Sequence, residues 1–443
     1  MKFGLLALLL LVPASTLAAA ETKAKRAPAA EQSRVPNPPN TDFSAFEKKF
    51  SWSLSEEFLQ AQSVRQTSSN LDEAKVAPYT LPELFTFADG RKVVTAADWE
   101  QRRRVELLAT FRREVYGVSP PRPTTLTFRP IVSDPQALGG QATLRRIAIA
   151  FQLGAETFTY HLTLFVPNRR SGKAPVFLLL NHRSPANTDP TRRTRSEFWP
   201  VEYAIARGYA MAAIDVADEV DPDKPGATTG VRAFYRRLHP NQAEFTWATL
   251  AAWAWSGSRA VDYFETDPDI DLAKIAVIGH SRTGKTALWA AAQDTRFALA
   301  CVNCAGEGGP ALSRRNFGET LGMITRNFPY WFTPTYAGYA DKIAALPIDQ
   351  HQLVALVAPR GYHGADATQD LHADPRGSWL ALVEASKVWA LQGRARALSD
   401  PMPLVNDLLV AGPLAYHLRA GTHALTTYDW KLHLDHADTL FGK

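Results

Sequence analysis

Cysteine is nearly absent, with Cys301 and Cys304 the two thiols in 443 residues. One close pair excludes the disulfide framework that staples small exported domains. A C-x-x-C redox pair needs a helix N-terminus to lower a thiol pKa, and a zinc site needs two further ligands; neither stands nearby. The pair reads as buried strand-end packing, with a local disulfide as the other reading. Strong charge of one sign is also missing. The formal charge is +5, and residues 1–40 carry five basic against two acidic residues, so the remainder is close to neutral. Arg102-Arg103-Arg104 alternates with acids, which reads as a solvated helix face and excludes a nucleic-acid groove. Beyond the first twenty residues no apolar run reaches the length of a membrane span, and no internal repeat occurs.

The N-terminus does carry an apolar run. Lys2 precedes Leu5 to Val12, followed by "STLAAAE" with Ala18 and Ala20 in the A-x-A positions, a pattern that predicts a secretory signal peptide over residues 1–20. Residues 21–45, Ala-, Pro- and charge-rich, are expected to be a disordered tether. Residues 46–443 are then a single exported domain. At 46% hydrophobic and 21% charged, it can bury a large core without metals or staples.

Hydrophobic periodicity outlines that domain. A helix is predicted from Thr95 to Tyr116, with Thr95 and Asp98 as a capping box. Alternating runs at Leu126–Ile131, Thr143–Gln152 and Thr157–Val166 predict an antiparallel opening. Buried strands are expected at Val176–Asn181, Ala210–Asp215, Ile275–Ile278, Ala298–Asn303, Leu353–Ala358 and Leu414–Leu418. Helices are expected at Trp247–Phe264, Lys285–Gln293 and Ser378–Leu391. The fold class is α/β, a mostly parallel sheet with an antiparallel N-terminal entry, the layout of an α/β-hydrolase sandwich.

"GHSRTGKT", residues 279–286, fits two motifs at once. As G-x-x-x-x-G-K-[ST] it is a phosphate loop; as G-x-S-x-x-G after a strand it is a nucleophile elbow presenting Ser281. A phosphate loop needs a later acidic strand end for magnesium, and none follows. A hydrolase needs an acid after a late strand and then a C-terminal histidine, and "ATQDLHADP" and "RAGTH" supply both. The elbow is therefore preferred, with no nucleotide, metal or other cofactor. His423 is the expected general base. His417 points along a strand, and His433 and His436 are expected to face solvent.

Trp99 with "RRR", "EVYG", "WAWSGSRAVDYFETDPDID", "GHSRTGK", "GEGGPALSRRNFGET", "FPYWF", "HQLVALVAPR" and "RAGTHALTTYDW" together resemble the glucuronoyl esterases, carbohydrate esterase family 15, in their bacterial form. The resemblance runs from about residue 80 to the end. It implies a secreted serine esterase that cleaves the ester between (4-O-methyl-)glucuronic acid of xylan and a lignin alcohol. It also places Arg282 at the oxyanion hole and gives Lys285 and Glu319 to the sugar hydroxyls. The alternatives are another carbohydrate esterase, such as an acetyl-xylan esterase, and a carbohydrate-binding pseudo-esterase. Beyond glucuronoxylan and lignin–carbohydrate esters no partner is expected: no nucleic acid, no membrane after signal cleavage, and a monomeric chain.

Three positions depart from the family pattern. Cys304 stands where many members have the triad glutamate, so the acid must come from elsewhere. Asp370 is the first candidate and Glu307 the second, with Asp374 and Asp366 behind them. His372 replaces a sugar-stacking tryptophan, and His280 replaces the cysteine that fungal members bridge toward the catalytic histidine.

Overall fold

The computed structural model describes residues 41–65, 68–240 and 244–443, so the predicted signal peptide and the tether up to residue 40 lie outside the described residues. Ten strands build one sheet: β1 Thr127–Asp134, β2 Ala142–Leu153, β3 Glu156–Pro167, β4 Ala174–Asn181, β5 Ala210–Asp215, β6 Ile270–His280, β7 Leu299–Asn303, β8 Gly361–Ala367, β9 Leu408–Ala411 and β10 Leu414–Arg419. Their spatial order is β1-β2-β3-β5-β4-β6-β7-β8-β10-β9. Strands β1 to β3 enter antiparallel, β5, β4, β6, β7, β8 and β10 run parallel, and β9 closes the far edge antiparallel.

Burial follows from the layers. β4 is buried at every position, as a strand covered on both faces must be. Its side chains alternate: Val176, Leu178 and Leu180 enter one core, and Phe177 and Leu179 the other. The first core lies under three helices, α1 Thr249–Phe264, α2 Arg282–Gln293 and α3 Pro375–Leu391. The second lies under α4 Thr427–Phe441 and the short helix Val201–Ala206. The predicted capping box is present at both ends: Asp98 N–H donates to Thr95 Oγ1 at 3.0 Å, and Thr95 N–H donates to Asp98 Oδ2 at 2.9 Å. This is the three-layer α/β-hydrolase arrangement.

Four expectations are corrected. The apolar run expected as a strand at Leu353–Ala358 is helix Gln350–Ala355, nucleated by an Asp349/Gln352 capping box; the strand is β8, which starts beyond Pro359. Only Arg102 of the arginine triplet keeps the expected solvated face, pairing with Asp89 and Glu106. Arg103 is buried and donates to the carbonyls of Leu84 and Glu83, while Arg104 donates to those of Leu356 and Ala292. His433 and His436 are buried against His363 and His417, not solvated. One residue at the end of the predicted tether is packed: the Phe43 ring sits 5.7 Å from that of Tyr428, on which Phe46, just beyond the tether, stacks at 4.0 Å. Among the described residues no helix is long and apolar enough to cross a membrane.

Candidate active site

The C-terminal ends of β6, β7, β8 and β10 share one edge of the sheet, and each delivers a polar side chain there. β6 ends at His280, and Ser281 turns the chain into α2 with φ 58° and ψ −126°. A non-glycine residue in that region costs on the order of 1–3 kcal/mol and persists where its surroundings over-determine it. Two glycines permit the turn. A Cβ on Gly279 would lie 1.9 Å from the Thr283 carbonyl oxygen, and one on Gly284 would lie 2.8 Å from the Ala305 Cβ. Ser281 N–H donates to the Asn303 carbonyl at 2.9 Å, tying the turn to β7.

His423 follows β10 and Asp370 follows β8. Nδ1 of His423 lies 2.6 Å from Oδ2 of Asp370; the carboxylate is 6% exposed and the imidazole 39%. That contact fixes Nδ1 as the protonated nitrogen of a neutral ring and leaves Nε2 free to accept a proton. The ring also lies 4.4 Å from that of His280, the residue before Ser281. Burial holds His280 neutral, aided by the nearby His423. Its Nε2 accepts from Arg183 at 3.0 Å and its Nδ1 donates to Asn303 Oδ1 at 2.5 Å.

The other acids are engaged elsewhere. Glu307 is buried, accepts from Tyr336 Oη at 2.5 Å and Ser313 Oγ at 2.8 Å, and is pushed by burial to a pKa of about 8. Asp374 caps α3 and pairs with Arg315 at 2.9 Å. Asp366 accepts from Tyr416 Oη at 3.1 Å. Cys304, with φ 45°, and Cys301 are both buried free thiols, raised by burial.

Lys285, Glu319 and His372 form a second group beside the turn. Lys285 Nζ donates to the Ala305 carbonyl and lies 4.0 Å from Glu319 Oε2; His372 Nε2 lies 3.4 Å from Oε1. Burial lowers the Lys285 pKa, with Glu319 opposing that fall. For Glu319, burial pushes upward, but His372 and Lys285 outweigh it and hold the carboxyl below its ordinary range. Lysine aimed into a carbonyl and a carboxylate is not poised for a phosphate.

Arg282 is held by aromatics of the "FPYWF" stretch and by an acid that no sequence pattern singled out. Its guanidinium pairs with Asp223 and lies 4.6 Å over the Trp331 ring and 5.4 Å over Phe328. Trp331 Nε1 and Tyr330 Oη both donate to Asp223 Oδ1, at 2.7 and 3.1 Å. The "FPYWF" stretch carried these aromatics; nothing local marked Asp223 as their partner.

A strained serine, a carboxylate-held imidazole and a fixed cation at one sheet edge suit acyl transfer. Comparisons with known proteins agree. The family model described as glucuronyl esterase, fungi, matches residues 151–393. A carbohydrate esterase from an unknown prokaryotic organism, MZ0003, is 40% identical over 397 residues, covering 83% of this chain and 91% of its own. A 4-O-methyl-glucuronoyl methylesterase of Schizophyllum commune is 29% identical, covering 71% and 74%. The solved glucuronoyl esterase from Solibacter usitatus superposes with a TM-score of 0.78 at 36% identity, covering 83% of this chain and all of that one. With the fold, the elbow and the comparisons in agreement, the chain belongs to the glucuronoyl esterases, carbohydrate esterase family 15, in its bacterial form.

Proposed function

We propose that the protein is an exported, monomeric serine esterase that frees (4-O-methyl-)glucuronic acid of xylan from lignin alcohols through a glucuronoyl-enzyme intermediate. The observation that carries this reading is the 2.6 Å contact of His423 with Asp370, with the imidazole 4.4 Å from the ring of His280, the residue before the strained Ser281. Ser281 Oγ attacks the ester carbonyl while His423 Nε2 takes its proton, and Asp370 stabilises the imidazolium. The carbonyl oxygen gains charge near the first N–H groups of α2 and the Arg282 guanidinium. One such donor is typically worth about 3–4 kcal/mol of barrier. His423 then protonates the departing alcohol, and water repeats the sequence on the acyl-enzyme. Lys285 and Glu319 hold ring hydroxyls, with His372 alongside.

The substrate reading draws support from relatives named 4-O-methyl-glucuronoyl methylesterase. Residues 1–20 serve as the export signal, and no cofactor takes part. Parallel assays of benzyl glucuronate and an aryl acetate test the assignment. Fast hydrolysis of the first and slow hydrolysis of the second is expected. The reverse would mean an acetyl esterase, and turnover of neither a carbohydrate-binding pseudo-esterase.

A further inference from the structure

Cys304 has a use that the esterase chemistry leaves open. Its thiol, a carboxylate oxygen of Asp370 and an imidazole nitrogen of His423 all lie within 4.8 Å of one another. These are a soft sulfur, a borderline nitrogen and a hard oxygen, the mixture that tetrahedral zinc accepts. Zinc bonds of about 2.3 Å to sulfur and about 2.0–2.2 Å to nitrogen and oxygen set ligand atoms roughly 3.5 Å apart. The three groups therefore need to shift by about an ångström, not to refold.

We propose that Cys304, Asp370 and His423 form a site for a thiophilic divalent ion of the Zn2+ or Cd2+ class, and that its occupation switches the esterase off. Three chain positions fix the site. The Cys304 backbone N–H donates to the Ala365 carbonyl at 2.7 Å, so the thiol is anchored between β7 and β8. Its present partner, the Ala424 carbonyl at 3.9 Å, is weak and easily surrendered. His423 is 39% exposed, which gives the ion an entry path and leaves a fourth position for water. Binding expels the thiol proton and takes up the carboxylate and imidazole that the proposed mechanism needs. A glutamate at position 304 would offer no soft ligand.

The inhibitory consequence rests on the proposed triad; the site itself does not, and the test separates the two. Co2+ added to the full chain is expected to give a thiolate-to-cobalt absorption band. Zn2+ is expected to stop glucuronate-ester hydrolysis reversibly, with a chelator restoring the rate. Cys304→Ser should abolish the band and raise the Zn2+ needed for half inhibition by about 10–100-fold. Cys301→Ser, altered inside the core on β7, should keep both. Cys304→Ala serves should the serine variant fold poorly, and both are checked by circular dichroism. Absence of the band in the unaltered protein, or unchanged Zn2+ sensitivity in both Cys304 variants, overturns the site. A Cys304-dependent band without inhibition upholds the site and overturns the roles given to Asp370 and His423.

Discussion

Asp370 and Glu307 are the first and second candidates for the triad acid, and their surroundings separate them. The Asp370 carboxylate touches His423, whereas that of Glu307 is enclosed by Tyr336 and Ser313. Asp370→Asn is expected to lower kcat on glucuronate esters by about 10³–10⁴, with an unchanged melting temperature, because the imidazole loses its tautomer and counter-charge. Glu307→Gln is expected to cost less than tenfold, a rough bound for a group outside the reacting atoms. The opposite ranking in kcat would refute the assignment of Asp370. Lys285 and Glu319 call for a substrate comparison. Replacing either by Ala should reduce kcat/KM on glucuronate esters by about 10–100-fold more than on acetates, the weight of one charged hydrogen bond. Equal losses on both substrates would assign them to support of the turn.

The loop between β10 and α4 carries His423, and one buried ion pair sets its shape. Arg419 donates to the carbonyls of Thr422 and Ala424, both at 2.8 Å, so it grips the chain on either side of His423. Its Nε donates to Asp429 at 2.8 Å, in the first turn of α4, where Thr426 and Asp429 form a capping box. Asp429 is held well below the usual carboxylate range: burial opposes this, but the Arg419 charge and the His417 contact outweigh it. Asp429→Asn would leave a buried guanidinium uncompensated, a loss of about 3–5 kcal/mol. Arg419→Lys keeps the charge but loses the fork, so kcat should fall more than KM rises. Chemical denaturation and steady-state kinetics on the two variants check this; a change in KM alone would mean that the loop only binds sugar. Elements differ in how plainly they announce themselves. The elbow was legible because Gly279 serves a contact only four residues on, with the Thr283 carbonyl. The helix Gln350–Ala355 was not, because a short apolar run fits a buried strand or helix equally well and tertiary packing chose. β8 escaped notice because Gly361, His363, Gly364 and Asp366 are poor strand formers that only burial and pairing hold in register.

Two sets of buried groups give the folded protein opposing responses to pH. His363, His433 and His436 crowd together, and burial depresses all three, His436 to about 4. Such a group stays neutral when folded but takes up a proton when unfolded, so its contribution is intact above about 6.5 and is lost as pH falls toward 4. Glu307, Asp366 and Asp374 are raised by burial, to about 8 for Glu307 and about 6 for Asp374. They act in the other direction, destabilising the fold as pH rises from about 4.5 toward 8. Between these limits the two sets offset one another, and single variants expose each. His436→Leu should gain stability relative to the unaltered protein as pH drops from 6.5 to 4, by on the order of 3 kcal/mol. Glu307→Gln should gain relative stability as pH rises from 4.5 to 8. Urea unfolding across that range checks both, and parallel curves for variant and parent would show that neither group titrates on unfolding.

Local sequence decided whatever a few neighbouring residues can dictate. The glycines around Ser281 allow a backbone that side chains would block, alternation placed the antiparallel entry, and the order serine, acid, histidine marked the hydrolase layout. Tertiary structure decided partners. His423 and Asp370 are 53 residues apart in sequence, and Arg282 and Asp223 are 59 apart. The same closing of the sheet turned Arg103 and Arg104 inward and buried His433 and His436. Backbone conformation is a short-range steric matter, which residue types carry with them. Which of several acids reaches an imidazole depends on where distant strand ends meet, and only the assembled sheet sets that.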